Sequence, residues 1–439
     1  MAAMAEPISK DTGHQMHAMV SELFPICRSI TGNGLRETLR RVGQRIPLQI
    51  HEVPTGTQVL DWSVPREWNI RDAYVKNSRG QRLIDFQESN LHVVNYSIPV
   101  RAKLSLTQLK EHLYTLPDHI DWIPYRTSYY RETWGFCLSQ RQYDSLPEDE
   151  FEVVIDSSLE NGSLSYGECV LPGESRDEVL ISCHTCHPSL ANDNLSGLAV
   201  ATFLANVLAS RPNRFTYRFL FVPGTIGSIA WLSRNEDVVQ RIKHGLVFAC
   251  VGDRGAPTYK KSRRGNALID RAVLHLLAHS QQPHNVCEFS PYGYDERQYC
   301  SPGFNLPVGC LQRTPHGKFP QYHTSADNVE FVAPEALADT LNLAMDVVQL
   351  LETNLTYRNL YPKGEPQLGK RGLYRSIGGR ADTETRELAM LWVLNLSDGQ
   401  HSLLDIAERS GLKYEVVQRA AMDLQQHHLL SRQTEEKRP

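Results

Sequence analysis

Residues 178–200 read EVLISCHTCHPSLANDNLSGLAV, and this stretch decides the fold. The apolar run that ends at His184 predicts a buried strand, and the pattern after Asn194 predicts an amphipathic helix. Between them lie His187 and Asp193, at the carboxyl end of the strand, where open α/β sheets gather their ligands. An imidazole and a carboxylate at that edge indicate a metal site. Asp193 would serve equally well as an ordinary N-cap of the helix, so these residues alone leave both interpretations open.

The surrounding sequence, roughly residues 152–354, alternates apolar runs typical of strands with patterns typical of helices. This alternation predicts an α/β sheet with crossover helices. The predicted strands cover 152–156, 163–171, 178–184, 215–222, 245–252 and 307–312, and the predicted helices cover 195–209, 270–280 and 334–352. The predicted fold class is therefore α/β.

Two other regions differ from this pattern. Residues 56–149 hold four of the six tryptophans and have Pro or Gly at short intervals, which predicts an inserted β-rich domain. The insertion splits the main domain into residues 1–55 and 150–360, and its Trp122 and Tyr125 are candidate walls of the pocket. Residues 365–439 follow the order helix, helix, turn, helix and a short extended segment, which predicts a winged-helix domain with Gly411 in the turn.

Composition excludes several classes of function. The chain has 439 residues, 41% apolar and 22% charged, so it has the length for two or three domains and should fold throughout. Its net charge of -4 gives no electrostatic reason to expect nucleic acid or an anionic membrane. No window approaches the roughly 18 apolar residues of a membrane span, and the first residues lack a secretion signal. The nine cysteines are scattered, as expected for a reducing cytoplasm.

The predicted winged helix has a balanced charge. Residues 365–439 contain eleven Lys and Arg against eleven Asp and Glu. A surface that follows DNA phosphates should carry a basic excess, so DNA binding is disfavoured. Contact with a protein partner, or self-association, is the favoured role for this domain.

Two further stretches contain candidate metal ligands. The apolar run GLVFACVG ends directly before Asp253, and the stretch QYHTSADN places His323 shortly before the last helix of the main domain. A lone His or Asp is more often simply hydrogen-bonded. Three such positions, each after a separate strand, are better explained by a shared metal site. The sequence therefore predicts a site formed by Asp193, Asp253 and His323 with an imidazole from His184 or His187.

The order of these residues, with a Gly-Ser helix start at Gly227 and Ser228, resembles the co-catalytic zinc aminopeptidases. More closely, the chain resembles the uncharacterised bacterial aminopeptidase-like proteins, in which such a domain carries an inserted β domain and a C-terminal winged helix. The stretches that carry this resemblance extend over nearly the whole chain: RSITGNG (28–34), DWSVPREWNI (61–70), IPYRTSYY (123–130), WGFCLS (134–139), CHPSLANDNLSG (186–197), DERQYCSPGFNLP (295–307) and YHTSADN (322–328).

The resemblance implies a zinc-exopeptidase-like sheet and a set of ligands. It implies His187 and Asp253 on one zinc, Asp193 as the bridge, and His323 on a second zinc. The choice of His187 over His184 depends on the resemblance alone, since His184 could equally be a supporting or core residue. Imidazole and carboxylate ligands suit zinc, and a bridging carboxylate holds two cations close together.

One position departs from the family pattern. In the aminopeptidases, acidic residues before the Gly-Ser helix supply the general base and another ligand, and in the closer family a glutamate fills this place; this chain reads FLFVPGTIGS, with Gly224 there. Losing a general base typically costs about 10²- to 10⁴-fold in rate. The side of the pocket near His323 also loses a ligand, which favours one zinc over two. Three explanations stay open: another carboxylate acts as base, with Glu296 as first candidate; the pocket only binds; or Gly224 is an introduced change.

Candidate substrate contacts lie near these positions. Lys260 and Arg263, in the run YKKSRRG, could receive a carboxylate or phosphate, although charge runs are usually solvated loops. Arg313 and Tyr322 are candidates because they are close to His323 in sequence. The leading hypothesis is a metal-dependent hydrolase of an amide or peptide bond near a free terminus, acting on a small molecule or short peptide. The alternatives are a non-catalytic small-ligand or peptide-binding protein and a DNA-binding regulator.

Overall fold

The computed structural model describes residues 10–373 and 381–433, and residues 1–9, 374–380 and 434–439 of the predicted domains lie outside it. The chain divides into two compact units. The main unit comprises Met1–Ala267 and Pro283–Asn342, and the C-terminal unit comprises Leu268–Gln282 and Leu343–Pro439. Among the described helices, none combines the length and the apolar character that a membrane crossing requires.

The main unit is built on an eight-stranded mixed sheet. Its strands lie in the order Gln49–Pro54, Ser163–Leu171, Thr216–Val222, Glu178–His184, Ile242–Phe248, Val308–Gln312, Thr258–Lys260 and Asn285–Cys287. The four central strands, from Thr216–Val222 to Val308–Gln312, run parallel. All seven residues of Glu178–His184 are buried, as expected for a strand with both faces covered. Five of the six predicted strands lie in this sheet.

Helices complete the main unit. Their bounds are Lys10–Leu23, Asn33–Gly43, Gly197–Ala209, Ile226–Arg234, Glu236–Val239 and Glu296–Tyr299, and Pro334–Thr353 begins in this unit. Nine of the thirteen residues of Gly197–Ala209 are buried, because the helix is rich in apolar residues. Its packing on Glu178–His184 brings the loop at 185–196 to the carboxyl end of the central strands.

The predicted insertion forms its own four-stranded antiparallel sheet, in the order Arg82–Asp85, Glu67–Lys76, Glu150–Glu160 and Val100–Ser105. It also has two small strand pairs, Gln58–Val59 with Trp62–Ser63 and Leu113–Tyr114 with Phe136–Cys137, and short helices at Asn90–His92, Leu106–Lys110 and Gln140–Asp144. We predicted residues 152–156 as a strand of the main domain. Their strand pairs instead with Glu67–Lys76 and Val100–Ser105, because its buried apolar residues complete the core of the insertion.

The C-terminal unit includes the helices Ala381–Leu396, Leu403–Ser410 and Tyr414–Gln426, with a three-stranded sheet of Asp398–Ser402, Thr356–Asn359 and Leu430–Arg432. Gly411 ends the second of these helices with φ of 70°, a left-handed conformation that favours glycine. The helix Leu268–His279 also belongs here, although we predicted it in the main domain. Its Arg271 pairs with Asp405 and Glu408, and its Ala272 joins the apolar core of this unit. A short 3₁₀ turn covers Gly369–Arg371.

Candidate metal centre

Three imidazoles surround one buried carboxylate at the carboxyl end of the central strands. His184 Nε2 lies 2.8 Å from Asp193 Oδ1, and His323 Nε2 lies 3.0 Å from Asp193 Oδ2. His187 Nδ1 lies 3.3 Å from Asp193 Oδ2 and 3.1 Å from the Asp193 carbonyl oxygen. The ligand atoms of His184, His187 and Asp193 all lie within 4.8 Å of one another, close enough to hold one metal ion.

The charges of this cluster depend on one another. Burial alone would raise the pKa of Asp193, but the charge of His187 and hydrogen bonds from the three imidazoles hold that pKa well below its usual range. Burial alone would lower the pKa of His187, but the nearby Asp193 carboxylate outweighs burial, so the pKa of His187 is raised. Burial lowers the pKa of His184 and of His323, against the opposing influence of Asp193. The cluster therefore offers an ionised carboxylate among imidazoles, two of which are held neutral.

The segment that carries Asp193 is held in place by hydrogen bonds to Asp327. This fully buried carboxylate accepts the backbone N–H of Asn192 at 2.6 Å and that of Asp193 at 3.0 Å. The His187 carbonyl oxygen accepts from Arg28 Nε at 2.9 Å. Buried side chains thus hold both ends of the segment between the two candidate ligands.

His323 is held by the insertion. Its φ is 56°, a left-handed value that is uncommon for residues other than glycine and that needs support from its surroundings. That support comes from Tyr125, whose backbone N–H donates to the His323 carbonyl oxygen at 2.8 Å. The neighbouring Pro124 and Thr324 form an isolated antiparallel bridge. The inserted domain therefore positions one member of the cluster.

The contact of His184 Nδ1, the ring nitrogen that does not face Asp193, indicates the role of this histidine. Asn194 Oδ1 accepts the backbone N–H groups of Gly197 and Cys250, so the Asn194 amide nitrogen must be the atom that faces His184 Nδ1, at 3.3 Å. A nitrogen that accepts this contact is the unprotonated one in a neutral imidazole. His184 Nε2 then carries the proton and donates it to Asp193. This arrangement suits a residue that orients Asp193 better than a direct metal ligand.

Aromatic rings surround the cluster. The Tyr125 ring lies edge-on to His187 and His323, with centroids 5.2 and 5.1 Å away. Tyr294 stacks on His184 at 4.6 Å, and Tyr322 stacks on His323 at 3.9 Å. These rings restrict the imidazoles to one orientation and exclude water from part of the site. Tyr125 thus lies where we expected an aromatic wall, whereas Trp122 stacks on His119.

Asp253 was predicted as a ligand, and the structure does not bring it into the cluster. Its carboxylate accepts from Thr314 Oγ1 at 2.6 Å, from the Gly255 N–H at 2.7 Å and from Asn192 Nδ2 at 3.1 Å. The strand before it ends at Phe248, so the chain continues for four more residues before it reaches Asp253. In this conformation Asp253 joins three loops around the site.

Gly224 lies directly beside the cluster. A Cβ at this position would stand 2.9 Å from His184 Cβ and 3.6 Å from Asp295 Oδ2. Asp295 is fully buried; its Oδ1 accepts from Ser228 Oγ at 2.7 Å, while its Oδ2 has no hydrogen-bond partner among the described residues. Burial raises the pKa of Asp295 to about 7, partly opposed by the Ser228 hydrogen bond. A carboxyl group from another segment therefore approaches the place where the resemblance predicts a glutamate.

Glu296, the residue we predicted as base, has a different environment. Its Oε1 lies 2.8 Å from Lys260 Nζ, and both side chains are buried. Lys260 also donates to the Tyr292 carbonyl oxygen at 2.8 Å. This ion pair balances the charge of both the predicted base and one predicted substrate contact. The other oxygen of Glu296, Oε2, is buried without a hydrogen-bond partner among the described residues.

The other predicted substrate contacts are divided between the site and its surroundings. Arg263 is exposed and donates to Asn305 Oδ1 at 2.9 Å. Arg313 is buried and donates to the Gly255 carbonyl oxygen at 2.7 Å, which gives it a structural environment. Tyr322 alone lies against the cluster, through its ring contact with His323.

Asp295 was not among the site residues predicted from the sequence. It adjoins Glu296 in the stretch GYDERQ, and neighbouring residues at a helix start point about 100° apart, so one faces Ser228 while the other faces Lys260. The one sequence feature that could have indicated Asp295 as a site residue is the pair of adjacent carboxylates, Asp295 and Glu296. The directions in which these two side chains point depend on where the helix begins, and it begins at Glu296.

Comparisons with known proteins agree with this architecture. The family described as "Domain of unknown function (DUF4910)" matches residues 17–354, and a winged helix-turn-helix family matches residues 355–432. A Clostridium acetobutylicum protein described as a candidate polysaccharide biosynthesis protein with an aminopeptidase-like domain is 54% identical over 422 residues, which are 96% of this chain and 97% of its own. A crystal structure of a candidate peptidase from Clostridium acetobutylicum is 51% identical, covers 97% of each chain and gives a TM-score of 0.93.

A more distant similarity concerns the fold alone. The zinc aminopeptidase BSAP from Bacillus subtilis is 11% identical, covers 79% of this chain and 96% of its own, and gives a TM-score of 0.58. The predicted zinc-aminopeptidase-like α/β fold and the C-terminal winged helix are therefore confirmed.

Proposed function

We propose that this chain, which belongs to the family described as "Domain of unknown function (DUF4910)", is a metal-dependent hydrolase of an amide or peptide bond near a free terminus. The observation that carries the proposal is the convergence of His184, His187 and His323 on the buried carboxylate of Asp193. The cluster lies at the carboxyl end of parallel strands, where α/β sheets place their active sites. The aminopeptidase-like scaffold is consistent with this chemistry.

The donor atoms fit zinc. Nitrogen and carboxylate oxygen ligands are those that zinc takes in catalytic sites, where three protein ligands leave a position for water or substrate. We assign His187 and Asp193 as two of these ligands, and His323, whose Nε2 lies 3.0 Å from Asp193 Oδ2, as the third. His184 also lies close enough to share one ion, but the contact of Asn194 with its Nδ1 favours a role as the donor to Asp193. Asp253 and Asp327 hold the loops around them. This set favours one ion.

A zinc ion bound there would polarise the substrate carbonyl and lower the pKa of a water molecule. The chain itself must then take a proton from that water. Asp295 Oδ2 is the candidate acceptor, because it is buried without a partner and lies beside Gly224. A group with a pKa near the working pH can both accept a proton and return it to the leaving amine. Tyr125, Tyr294 and Tyr322 would shield this exchange from solvent.

The runner-up function is binding of a small ligand or peptide without hydrolysis. The observation that favours it is Gly224 itself, which has no side chain to bind metal or move a proton. Glu296, the first alternative base, is held by Lys260. Stoichiometric binding of a short peptide without turnover, in the metal-loaded chain, would support this function against the leading one.

The leading proposal is tested by metal content and turnover of the full-length chain. We expect about one equivalent of zinc by mass spectrometry, and hydrolysis of leucyl-leucine or N-acetyl-leucine that a chelator abolishes and added zinc restores. His187→Ala should lose both, whereas His401→Gln, which changes an exposed histidine paired with Asp398, should keep both. A wild-type chain that takes up no zinc would refute the proposal.

A further inference from the structure

A cavity of about 260 Å³ adjoins Gly224. Its lining includes Trp62, Tyr129, Tyr130, Ile226, Ile229 and Arg297. Pockets for drug-sized ligands occupy roughly 300–1,000 Å³, so a cavity of this size suits a single amino-acid-sized group. The cavity is formed jointly by the insertion, the loop at Gly224 and the helix Glu296–Tyr299.

Two contacts connect this cavity to the histidine cluster. The first is Gly224, which lines the cavity and whose missing Cβ would stand 2.9 Å from His184 Cβ. The second is Tyr129, whose hydroxyl lies 2.8 Å from that of Tyr125, the ring that contacts His187. A ligand in the cavity would therefore lie next to the proposed metal centre without displacing its residues.

Much of the lining is apolar or aromatic. Ile226 and Ile229 lie in the first turn of the helix that follows Gly224, and both are buried. Trp62 and Tyr130 form a ring pair with centroids 5.3 Å apart, yet they are 47% and 53% exposed. Large exposed rings next to a cavity are a favourable surface for an apolar ligand group.

Arg297 gives this lining a cationic group. Its Nε is buried and has no hydrogen-bond partner in the described part of the chain. Gln298 Nε2 donates to Thr225 Oγ1 at 3.3 Å, which ties the helix of Arg297 to the loop of Gly224. A buried donor without a partner is unfavourable until a ligand supplies an acceptor, and a carboxylate matches a guanidinium best.

We propose that this cavity receives the C-terminal residue of a short peptide or acyl amino acid, with its apolar side chain against the rings and its carboxylate on Arg297. This proposal rests on the hydrolase function and narrows it to substrates with a free carboxyl end. The amide bond on the amino side of that residue would then face the histidine cluster. Hydrolysis adds one water across the C–N bond, releasing an acid and leaving the free amino acid in the cavity.

Calorimetric titration of the full-length chain with L-leucine and with L-leucinol tests the proposal. The two probes share a side chain and an amine, differ in the carboxylate, and contain no amide bond. We expect leucine to bind at least about tenfold more tightly, the difference that one charge-assisted hydrogen bond provides. Arg297→Gln should remove this preference and Arg297→Lys should keep part of it, while Arg263→Gln, an exposed arginine outside the cavity, should leave it unchanged. Tyr130→Ala should weaken the binding of both probes.

Each titration is made with zinc-loaded and with chelator-treated protein, and unfolding curves verify that the variants fold. Equal binding of leucine and leucinol, or an unchanged preference in a folded Arg297→Gln variant, would overturn the proposal. A preference that appears only with zinc would also overturn it, since the metal would then be the anchor. An Arg297-dependent preference in a chain that takes up no zinc would refute the hydrolase function and leave the cavity assignment intact.

Discussion

Asp295 Oδ2 lies 3.6 Å from the point at which a Cβ of residue 224 would stand. The glycine leaves this space open, and the carboxylate approaches it from a segment that is seventy-one positions later in the sequence. Its other oxygen is fixed by Ser228, at the start of the helix that follows Gly224. The two positions are therefore coupled, and substitutions at either should affect the same site.

Asp295→Asn should lower the rate of hydrolysis by about 10²- to 10⁴-fold, the usual cost of losing a general base. Asparagine keeps the oxygen that accepts from Ser228, so zinc content should stay at the wild-type level. The matched comparison is Glu296→Gln, which removes the competing carboxylate, with thermal unfolding recorded for both variants. A folded Glu296→Gln variant without activity, beside an active Asp295→Asn variant, would reverse the assignment.

The same substitution should change how stability depends on pH. Burial raises the pKa of Asp295 from 3.8 to about 7, so ionising this carboxyl costs the folded state more than the unfolded state. The stabilising effect of the protonated form is complete below about pH 4 and is lost as pH rises through about 7. In chelator-treated protein, Asp295→Asn should therefore match the wild type near pH 4 and exceed it above pH 7, by up to about 4 kcal/mol.

Denaturant unfolding at pH 4, 5.5, 7 and 8 measures this difference. A constant difference between Asp295→Asn and the wild type at all four values would show that the carboxyl is not buried in the folded protein. Asp61→Asn serves as the exposed control, and its effect should stay within about 0.5 kcal/mol at each pH.

The two histidines of the CHTCH stretch should differ in their effect on metal binding. His184→Gln removes a donor to Asp193 and should weaken zinc affinity about 10- to 100-fold, as expected for a residue that orients a ligand. His187→Gln removes a ligand and should weaken it further. Competition with a chromophoric chelator measures both affinities. The reverse order would assign His184 as the ligand and His187 as its support.

Gly224→Ala should destabilise the fold by about 1–3 kcal/mol, because its Cβ would stand 2.9 Å from His184 Cβ on a buried strand. Gly224→Glu meets the same obstacle, so a glutamate at this position should not restore activity by itself. Gly303→Ala is the control, since nothing lies within 4 Å of its added Cβ. Equal unfolding midpoints for Gly224→Ala and Gly303→Ala would contradict this prediction, since His184 would then shift away from the added Cβ without loss of stability.

The pattern of apolar runs predicted the main sheet well because its central strands are buried on both faces. The strands at 163–171 and 178–184 were predicted at their observed bounds. The strand at 150–160 was assigned to the main sheet but lies in the sheet of the insertion, because an apolar run predicts a strand without indicating which sheet the strand joins. Pairing is decided by contacts with strands more than fifty residues away, such as 67–76.

The candidate site was only partly accessible from the sequence. His187, Asp193 and His323 were expected to meet, and their side chains do lie together. The position of Asp253 depends on the path of the chain beyond Phe248, which periodicity does not reveal. Whether His184 binds metal or supports Asp193 depends on the orientation of the Asn194 amide, a hydrogen-bonding detail without any signature in residue spacing.

The helix Leu268–His279 lies within the segment that matches the family described as "Domain of unknown function (DUF4910)", yet it packs into the core of the C-terminal unit. A gene fusion that merely appended a winged helix after residue 354 would have left Ala272 and its neighbours without that core. Exchange of the C-terminal module between relatives should therefore succeed only when this helix is exchanged with it. The part of this chain that must be kept together in such an exchange is then larger than the sequence boundary at residue 355 would suggest.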